Sequence, residues 1–170
     1  DINVYVSYIR YGQRHGVLLV NPYTLEPHRG VFVFQTYTIL GVINRFLNLD
    51  PFLLFHLASI IAGIALLLSI YYVNRLVFQS SLERLTSFAI ISLGGGLGWI
   101  NNFIFAADYR LAGFSLLDPL ERPHNAITTM LVILLVTFLG KYVTSNNTRY
   151  LKLSLLSSFI VYTIHPPFAL

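Results

Sequence analysis

The stretch that most constrains the fold is residues 51–73, PFLLFHLASIIAGIALLLSIYYV. Residues 52–73 contain no Asp, Glu, Lys or Arg. A transmembrane helix needs about 20 consecutive apolar residues, so this stretch predicts a helix that crosses a bilayer. Asp50 suits the N-cap of that helix and Pro51 its first turn.

The composition agrees with a membrane environment along the whole chain. Of 170 residues, 55% are hydrophobic and only 11% are charged, with a mean hydropathy of +0.67. A soluble domain is about one quarter charged, so the composition excludes an ordinary soluble fold. The basic residues are scattered singly, which argues against a nucleic-acid partner and favours membrane lipids instead.

Three further segments predict spans, at 85–107, 124–140 and 151–170. The fold class predicted from the sequence is therefore all-α, a polytopic membrane helix bundle. Residues 1–170 are expected to form a single transmembrane module with about four spans in 51–170. Because the sequence opens at Asp1 and stops inside an apolar run, it is expected to be a fragment of a longer chain.

Residues 1–50 are more mixed and predict an extracytoplasmic loop with interfacial helices. Residues 2–12 mix apolar residues with tyrosines, which suits a helix lying in the headgroup layer with its apolar face toward the lipid. Residues 31–49 are apolar but interrupted by four polar residues, Gln35, Thr36, Asn44 and Arg45. This segment is either a surface helix or a short span near the lower length limit for crossing, and the topology depends on which.

The basic residues predict an orientation. The segments 74–84 and 141–152 hold five of them within roughly two dozen positions, a higher density than elsewhere, which favours a cytoplasmic side for 74–84 and 141–150. Residues 1–50 and 108–123 are then extracytoplasmic. If residues 31–49 cross the bilayer, residues 1–30 move to the side of 74–84.

Several short motifs occur in a recognisable order near the start of the chain. They are Asp1-x-x-x-Tyr5, Asn21-Pro22-Tyr23, Glu26-Pro27 and Asn48-Leu49. Together they resemble the first large extracytoplasmic loop of the GT-C superfamily of membrane glycosyltransferases. The nearest branch is that of protein mannosyltransferases and lipid A aminoarabinose transferases.

Two later motifs extend this resemblance over nearly the whole chain. Leu120-Glu121-Arg122-Pro123 is similar to the family's Thr-Asp-x-Pro motif, and His165-Pro166-Pro167 is similar to a Lys-Gly-Pro turn. The chain departs from the family pattern at Ile2, where the family has a second acidic residue, and at Pro27-His28-Arg29, where it has Lys-Pro-Pro.

The resemblance implies sugar transfer from a polyprenyl-phosphate-linked donor at the outer membrane surface. It implies that Asp1 is the catalytic base, although Asp1 also suits the N-cap of the helix at 2–12. Glu26 and Glu121 are further catalytic candidates. Four arginines are candidates for binding the donor phosphate, although arginines near a membrane also commonly contact lipid headgroups: Arg10, Arg14, Arg29 and Arg122.

His28, His124 and His165 are candidate ligands, with Glu26, for a divalent metal such as zinc. No local His spacing of a metal motif accompanies them. Two other functions remain open. A transporter or permease fragment would carry polar groups and broken helices at mid-membrane, for which the glycine cluster Gly94–Gly98 offers a hint. A non-catalytic GT-C-like membrane protein would tolerate replacement of Asp1 and Glu26.

Overall fold

The computed structural model describes residues 2–20, 24, 26–27, 29–93 and 122–164. This part of the chain is all-helical, with 82% of its residues in six helices and only an isolated bridge between Leu19 and Val31. The helices are α1 (Ile2–His15), α2 (Gln35–Leu47), α3 (Pro51–Val77), α4 (Ser81–Leu93), α5 (Pro123–Ser145) and α6 (Thr148–Ile164). The predicted spans at 85–107 and 151–170 and the cluster Gly94–Gly98 lie wholly or partly outside the described residues.

The chain divides into two compact units. The first comprises Asp1–Ala58 with Phe159–Leu170, and the second comprises Ser59–Ser158. The first has a core around the buried residues Val6, Ile9, Tyr37, Leu54 and Phe55. The second has a separate core around Ala62, Leu66, Ile70 and Ala126. The prediction of one transmembrane module for 1–170 stays a prediction.

In the first unit, α1 and α2 lie side by side and run parallel. The rings of Tyr5 and Tyr37 stack with centroids 4.5 Å apart. Gly41 lies against the Ile9 carbonyl, and Arg45 Nε donates to the Gln13 carbonyl at 2.8 Å. The partners in all three pairs are 32 positions apart, so the two helices advance together in the same direction.

A short rigid corner joins α2 to α3. The buried side-chain amide of Asn44 makes two hydrogen bonds to the backbone of Leu49. Its Nδ2 donates to the Leu49 carbonyl at 2.9 Å, and its Oδ1 accepts from the Leu49 N–H at 2.9 Å. Asp50 Oδ1 then accepts from the N–H groups of Phe52 and Leu53 at 2.9 and 3.2 Å. The predicted N-cap at Asp50 is thereby confirmed.

Within the described residues, two helices are long and apolar enough to cross a membrane, α3 with 27 residues and α5 with 23. They coincide with the spans predicted at 52–73 and 124–140. Only 17% of the apolar window of α5 is buried, against 44% for α3. Most of α5 is therefore unlike the core helix of a soluble protein, and its exposed apolar side chains suit contact with lipid.

Within the second unit, α4 runs antiparallel to α3 and α5 runs parallel to it. Ser87 Oγ donates to Asn74 Oδ1 at 3.2 Å, and the rings of Tyr71 and Phe88 meet edge to face at 5.8 Å. Ala126 packs in the cluster that contains Ala62, while Lys141 Nζ donates to Tyr72 Oη at 2.6 Å. The C-terminal ends of α3 and α5 therefore lie at one end of this unit.

Two turns at this same end are well defined by their hydrogen bonds. Ser80 and Glu83 form a capping box before α4, since Ser80 Oγ accepts from the Glu83 N–H at 3.2 Å and Glu83 Oε2 from the Ser80 N–H at 3.3 Å. Asn146, in the left-handed region with φ 51°, ends α5. Asn147 Oδ1 then accepts from the Arg149 N–H at 3.0 Å at the start of α6. The connectors 74–84 and 141–150 are thus neighbours.

Candidate functional site

The candidate site residues that the structure describes in the first unit lie on what we call the α1–α2 module, residues 2–47. Arg10 and Arg14 are both exposed and lie one helical turn apart on α1, in line with the exposed Asn3. The opposite face of α1, with Ile9 and Gly12, is buried. The structure therefore brings Arg10 and Arg14 together on a polar stripe directed away from α2.

The outward face of α2 has the opposite character. Its exposed side chains include Ile39, Ile43, Phe46 and Leu47, and Phe46 is 87% exposed. These positions follow helical spacing and lie opposite the face that contacts α1. The module is thus a layer of two helices with a polar outer side on α1 and an apolar outer side on α2.

The segment between the two helices adds to the apolar side chains of the module. Leu18, Phe32 and Phe34 are all exposed, although the backbone here is held by the Leu19–Val31 bridge, with both N–H to carbonyl distances at 2.9 Å. The backbone groups of Leu19 and Val31 are therefore paired with each other, while the large apolar side chains beside them are exposed. Such an arrangement suits the boundary between headgroups and hydrocarbon.

Glu26 and Arg29 lie in this connecting segment and are both exposed. The Glu26 N–H donates to Thr24 Oγ1 at 3.2 Å, which forms a short turn. Asp1, His28, Glu121 and His165, the other acidic and metal candidates, lie outside the described residues. Of the three catalytic candidates the structure therefore describes only Glu26, on the solvent-accessible surface.

Arg122 and His124 lie at the start of α5, in the second unit. Arg122 precedes the helix in an extended conformation, with φ −128° and ψ 121°, and Pro123 occupies the first turn. His124 is buried, with 8% of its surface exposed. Among the described residues no group of three or more His, Asp or Glu side chains comes close enough to hold a metal ion.

Arg45 has a role that the sequence does not reveal. Its guanidinium donates from Nε to the Gln13 carbonyl at 2.8 Å and from Nη2 to the Gly12 carbonyl at 3.1 Å. Both carbonyls belong to the last turn of α1, where helices leave acceptors unsatisfied and favour a positive charge. Arg45 thus caps the C-terminus of α1 with hydrogen bonds. The same charge makes residues 31–49 a poor lipid-exposed span.

An aromatic stack fixes the module to α3. The rings of Tyr5, Tyr37 and Phe55 lie nearly parallel, and Phe55 is 6.2 Å from Tyr5 and 6.1 Å from Tyr37 between centroids. Phe55 lies on the second turn of α3, so the module is held at the N-terminal end of that helix.

Comparison with protein-family models, curated proteins and solved structures finds no match to this chain. The class that the described fold defines is an all-helical protein with two helices able to cross a membrane.

Proposed function

We propose that the chain is part of an integral-membrane glycosyltransferase of GT-C type. It would transfer a sugar from a polyprenyl-phosphate-linked donor to an acceptor at the outer membrane surface. The observation that best supports this is the α1–α2 module, which precedes a candidate span at the place where the family resemblance expects a large extracytoplasmic loop with surface helices.

The lengths of α1 and α2 support a surface position. With 14 and 13 residues, they are about 21 and 20 Å long, against a hydrocarbon core about 30 Å thick. The corner at residues 48–50 also leaves α2 within three residues of the start of α3. The module therefore stays next to the end of α3 at which that helix enters the bilayer.

The proposed topology places residues 1–50 and 108–123 outside the cell membrane and residues 74–84 and 141–150 in the cytoplasm. The shared end of α3 and α5 in the second unit supports this, because it groups the two connectors in which basic residues are densest. Arg75, Arg84, Lys141 and Arg149 lie in these segments and Lys152 lies two residues beyond the second, as the positive-inside rule expects.

Glycosyl transfer from a lipid phosphate needs a carboxylate to take a proton from the acceptor hydroxyl and cations to stabilise the leaving phosphate. We assign the first role to Asp1, with Glu26 and Glu121 positioning the acceptor. Arg10, Arg14, Arg29 and Arg122 are the candidates for the phosphate. Of these, Arg10 and Arg14 lie together on the exposed polar side of α1.

The test is a transfer assay with the full-length protein reconstituted in liposomes. The donor probes are polyprenyl-phosphate mannose and polyprenyl-phosphate aminoarabinose labelled in the sugar, with a membrane extract as the source of acceptor. Asp1→Asn is expected to lower transfer by about 100-fold or more, as for loss of a general base. Glu26→Gln is expected to lower it less.

Glu83→Gln is the matched control. Glu83 is also an exposed carboxylate next to a helix, but it caps α4 at the end of the second unit assigned to the cytoplasm. Its replacement should leave transfer unchanged. Transfer that survives Asp1→Asn, or a wild-type protein that transfers neither sugar, would contradict the proposal.

One observation favours a transporter as the second candidate. Thr128 Oγ1 and Asn74 Nδ2 are buried and have no hydrogen-bond partner within the described part of the chain. Of these two, Thr128 lies within the candidate span α5, and unpaired polar groups inside membrane helices often line a substrate path. Movement of a solute into liposomes by the wild-type protein, lost in Thr128→Val and retained in Asp1→Asn, would support transport over sugar transfer.

A further inference from the structure

An apolar groove of about 270 Å³ runs between α3 and α4 in the second unit. It is lined by Ile64, Leu67, Leu68, Tyr71, Leu85 and Phe88. The lining positions on α3 cover two turns, or about 10 Å of helix. Leu68 and Leu85 are largely exposed at its rim, so the groove opens to the surroundings of the unit.

The depth of the groove follows from its position along α3. Ile64 is about 20 Å along the helix from Pro51 and Tyr71 about 30 Å, at 1.5 Å per residue. If α3 crosses a hydrocarbon core about 30 Å thick, the groove lies in the leaflet nearer the C-terminus of α3. Its Tyr71 end then reaches the headgroup layer.

Two arginines lie at the Tyr71 end of the groove. Arg75 follows Tyr71 by one turn of α3, and Arg84 precedes Phe88 by one turn of the antiparallel α4. Arg84 Nε donates to the Phe78 carbonyl at 2.8 Å, which fixes the guanidinium beside the turn. Its other N–H groups are not engaged by any described residue, and Arg75 is exposed.

The charged residues around this end are mostly basic. Lys141 is held beside Tyr72 and lies 5.4 Å from the centroid of the Tyr150 ring. In segments 74–84 and 141–152 Glu83 is the sole acidic residue, and its carboxylate accepts from the Ser80 N–H. The end of the groove is therefore cationic, while its floor and walls are apolar.

We infer that this groove binds an anionic phospholipid, with an acyl chain between α3 and α4 and the phosphate at Arg75 and Arg84. An apolar channel ending at two guanidinium groups matches the amphipathic shape of such a lipid. Arginine suits the phosphate because its planar fork presents several N–H donors at once. The inference rests on α3 spanning the bilayer and is independent of sugar transfer.

The test uses tryptophan fluorescence in bilayers that contain phosphatidylglycerol and phosphatidylcholine. Trp99 is the one tryptophan of the chain, so Trp99→Phe with Leu68→Trp places a single reporter at the rim of the groove. Phosphatidylglycerol brominated on its acyl chains should quench this reporter more than brominated phosphatidylcholine does. A second reporter, Leu57→Trp near the other end of α3, should show no such preference.

Replacing Arg75 and Arg84 distinguishes a specific lipid site from a general attraction of anionic lipid to the basic surface. Arg75→Gln and Arg84→Gln should each reduce the preference for phosphatidylglycerol, by up to about fivefold. Arg149→Gln, an exposed arginine of the same end outside the groove, should leave it unchanged. Equal preference at both reporters, no effect of the groove arginines, or an equal effect of Arg149→Gln would overturn the inference.

Discussion

Glycine at positions 12 and 41 allows the backbones of α1 and α2 to touch. A Cβ added at Gly12 would overlap the Thr38 carbonyl oxygen, and one added at Gly41 would overlap that of Ile9. Neither obstacle is the end of a flexible side chain, so neither can move without shifting a helix. The contact of the two helices therefore depends on the absence of side chains at these two positions.

We expect Gly41→Ala to destabilise the module by about 2–3 kcal/mol, in the upper range for overpacking in a core. Amide hydrogen exchange in α1, measured by mass spectrometry on the protein in detergent, should become roughly 30-fold to 100-fold faster as local opening becomes easier. Gly140→Ala is the control, because a Cβ at Gly140 has no atom within 4 Å. Unchanged exchange in Gly41→Ala would mean that the helices are not in backbone contact.

At this scale, local chemistry could be predicted from the sequence and distant partners could not. The N-cap at Asp50 was predictable because its partners lie two and three residues away. The role of Arg45 was not, because it depends on carbonyls more than 30 positions earlier. A single sequence contains no signal that pairs those positions. It also contains no signal that predicts the burial of His124.

The helix α2 has one side buried against the rest of its unit and another side that is apolar and exposed. The side with Tyr37, Thr38, Gly41 and Asn44 is buried within the first unit. The other side, with Phe46, is exposed. The apolar face of α1 that the sequence assigns to lipid packs in that same core, with Val6 and Ile9 buried. We therefore expect α2 to contact lipid and to hold α1 above it.

Single-tryptophan variants in a Trp99→Phe background test this order of layers. Phe46→Trp should emit at short wavelength and be quenched by lipids brominated near the headgroup, because its position suits the membrane boundary. Arg10→Trp should emit at long wavelength and be quenched by aqueous iodide. The reverse pattern would place α1, and not α2, against the lipid.

The sequence left the character of residues 31–49 undecided because composition alone is ambiguous there. Apolar residues outnumber the four polar interruptions, and about 18 residues is near the minimum for a span. The observed bounds of α2 shorten the helix to 13 residues, since Phe34 and Asn48 at its two ends are both in the left-handed region. Asn48 is a residue type that commonly ends helices in this conformation, whereas Phe34 is not, so only the C-terminal bound has a local signal in the sequence.

For the whole molecule, the main prediction is the side of the membrane on which each connector between the helices lies. The hydropathy pattern predicted α3 and α5 as candidate spans because long apolar runs give the strongest signal in a sequence. The orientation rests on basic residues and on the shared end of α3 and α5. It therefore needs a measurement that reports the side of the membrane directly.

The absence of cysteine from the sequence allows single-cysteine labelling without background. Thr24, Gln79 and Thr148 are exposed, and no described hydrogen bond that caps a helix involves the side chains of Gln79 or Thr148. In intact cells a membrane-impermeant thiol reagent should label Thr24→Cys and spare Gln79→Cys and Thr148→Cys. Labelling of all three after permeabilisation is the control, and Thr24→Cys sharing a side with Gln79→Cys would contradict the topology.

The parallel course of α1 and α2 has a consequence for biosynthesis. The residues that pair across the two helices are 32 positions apart, so α1 has no partner when it leaves the ribosome. Its buried face can be covered only after α2 has been made, and the stack on Phe55 needs the start of α3 as well. The module can therefore be completed only after the start of α3 has been made, which makes its folding a late step relative to the synthesis of α1.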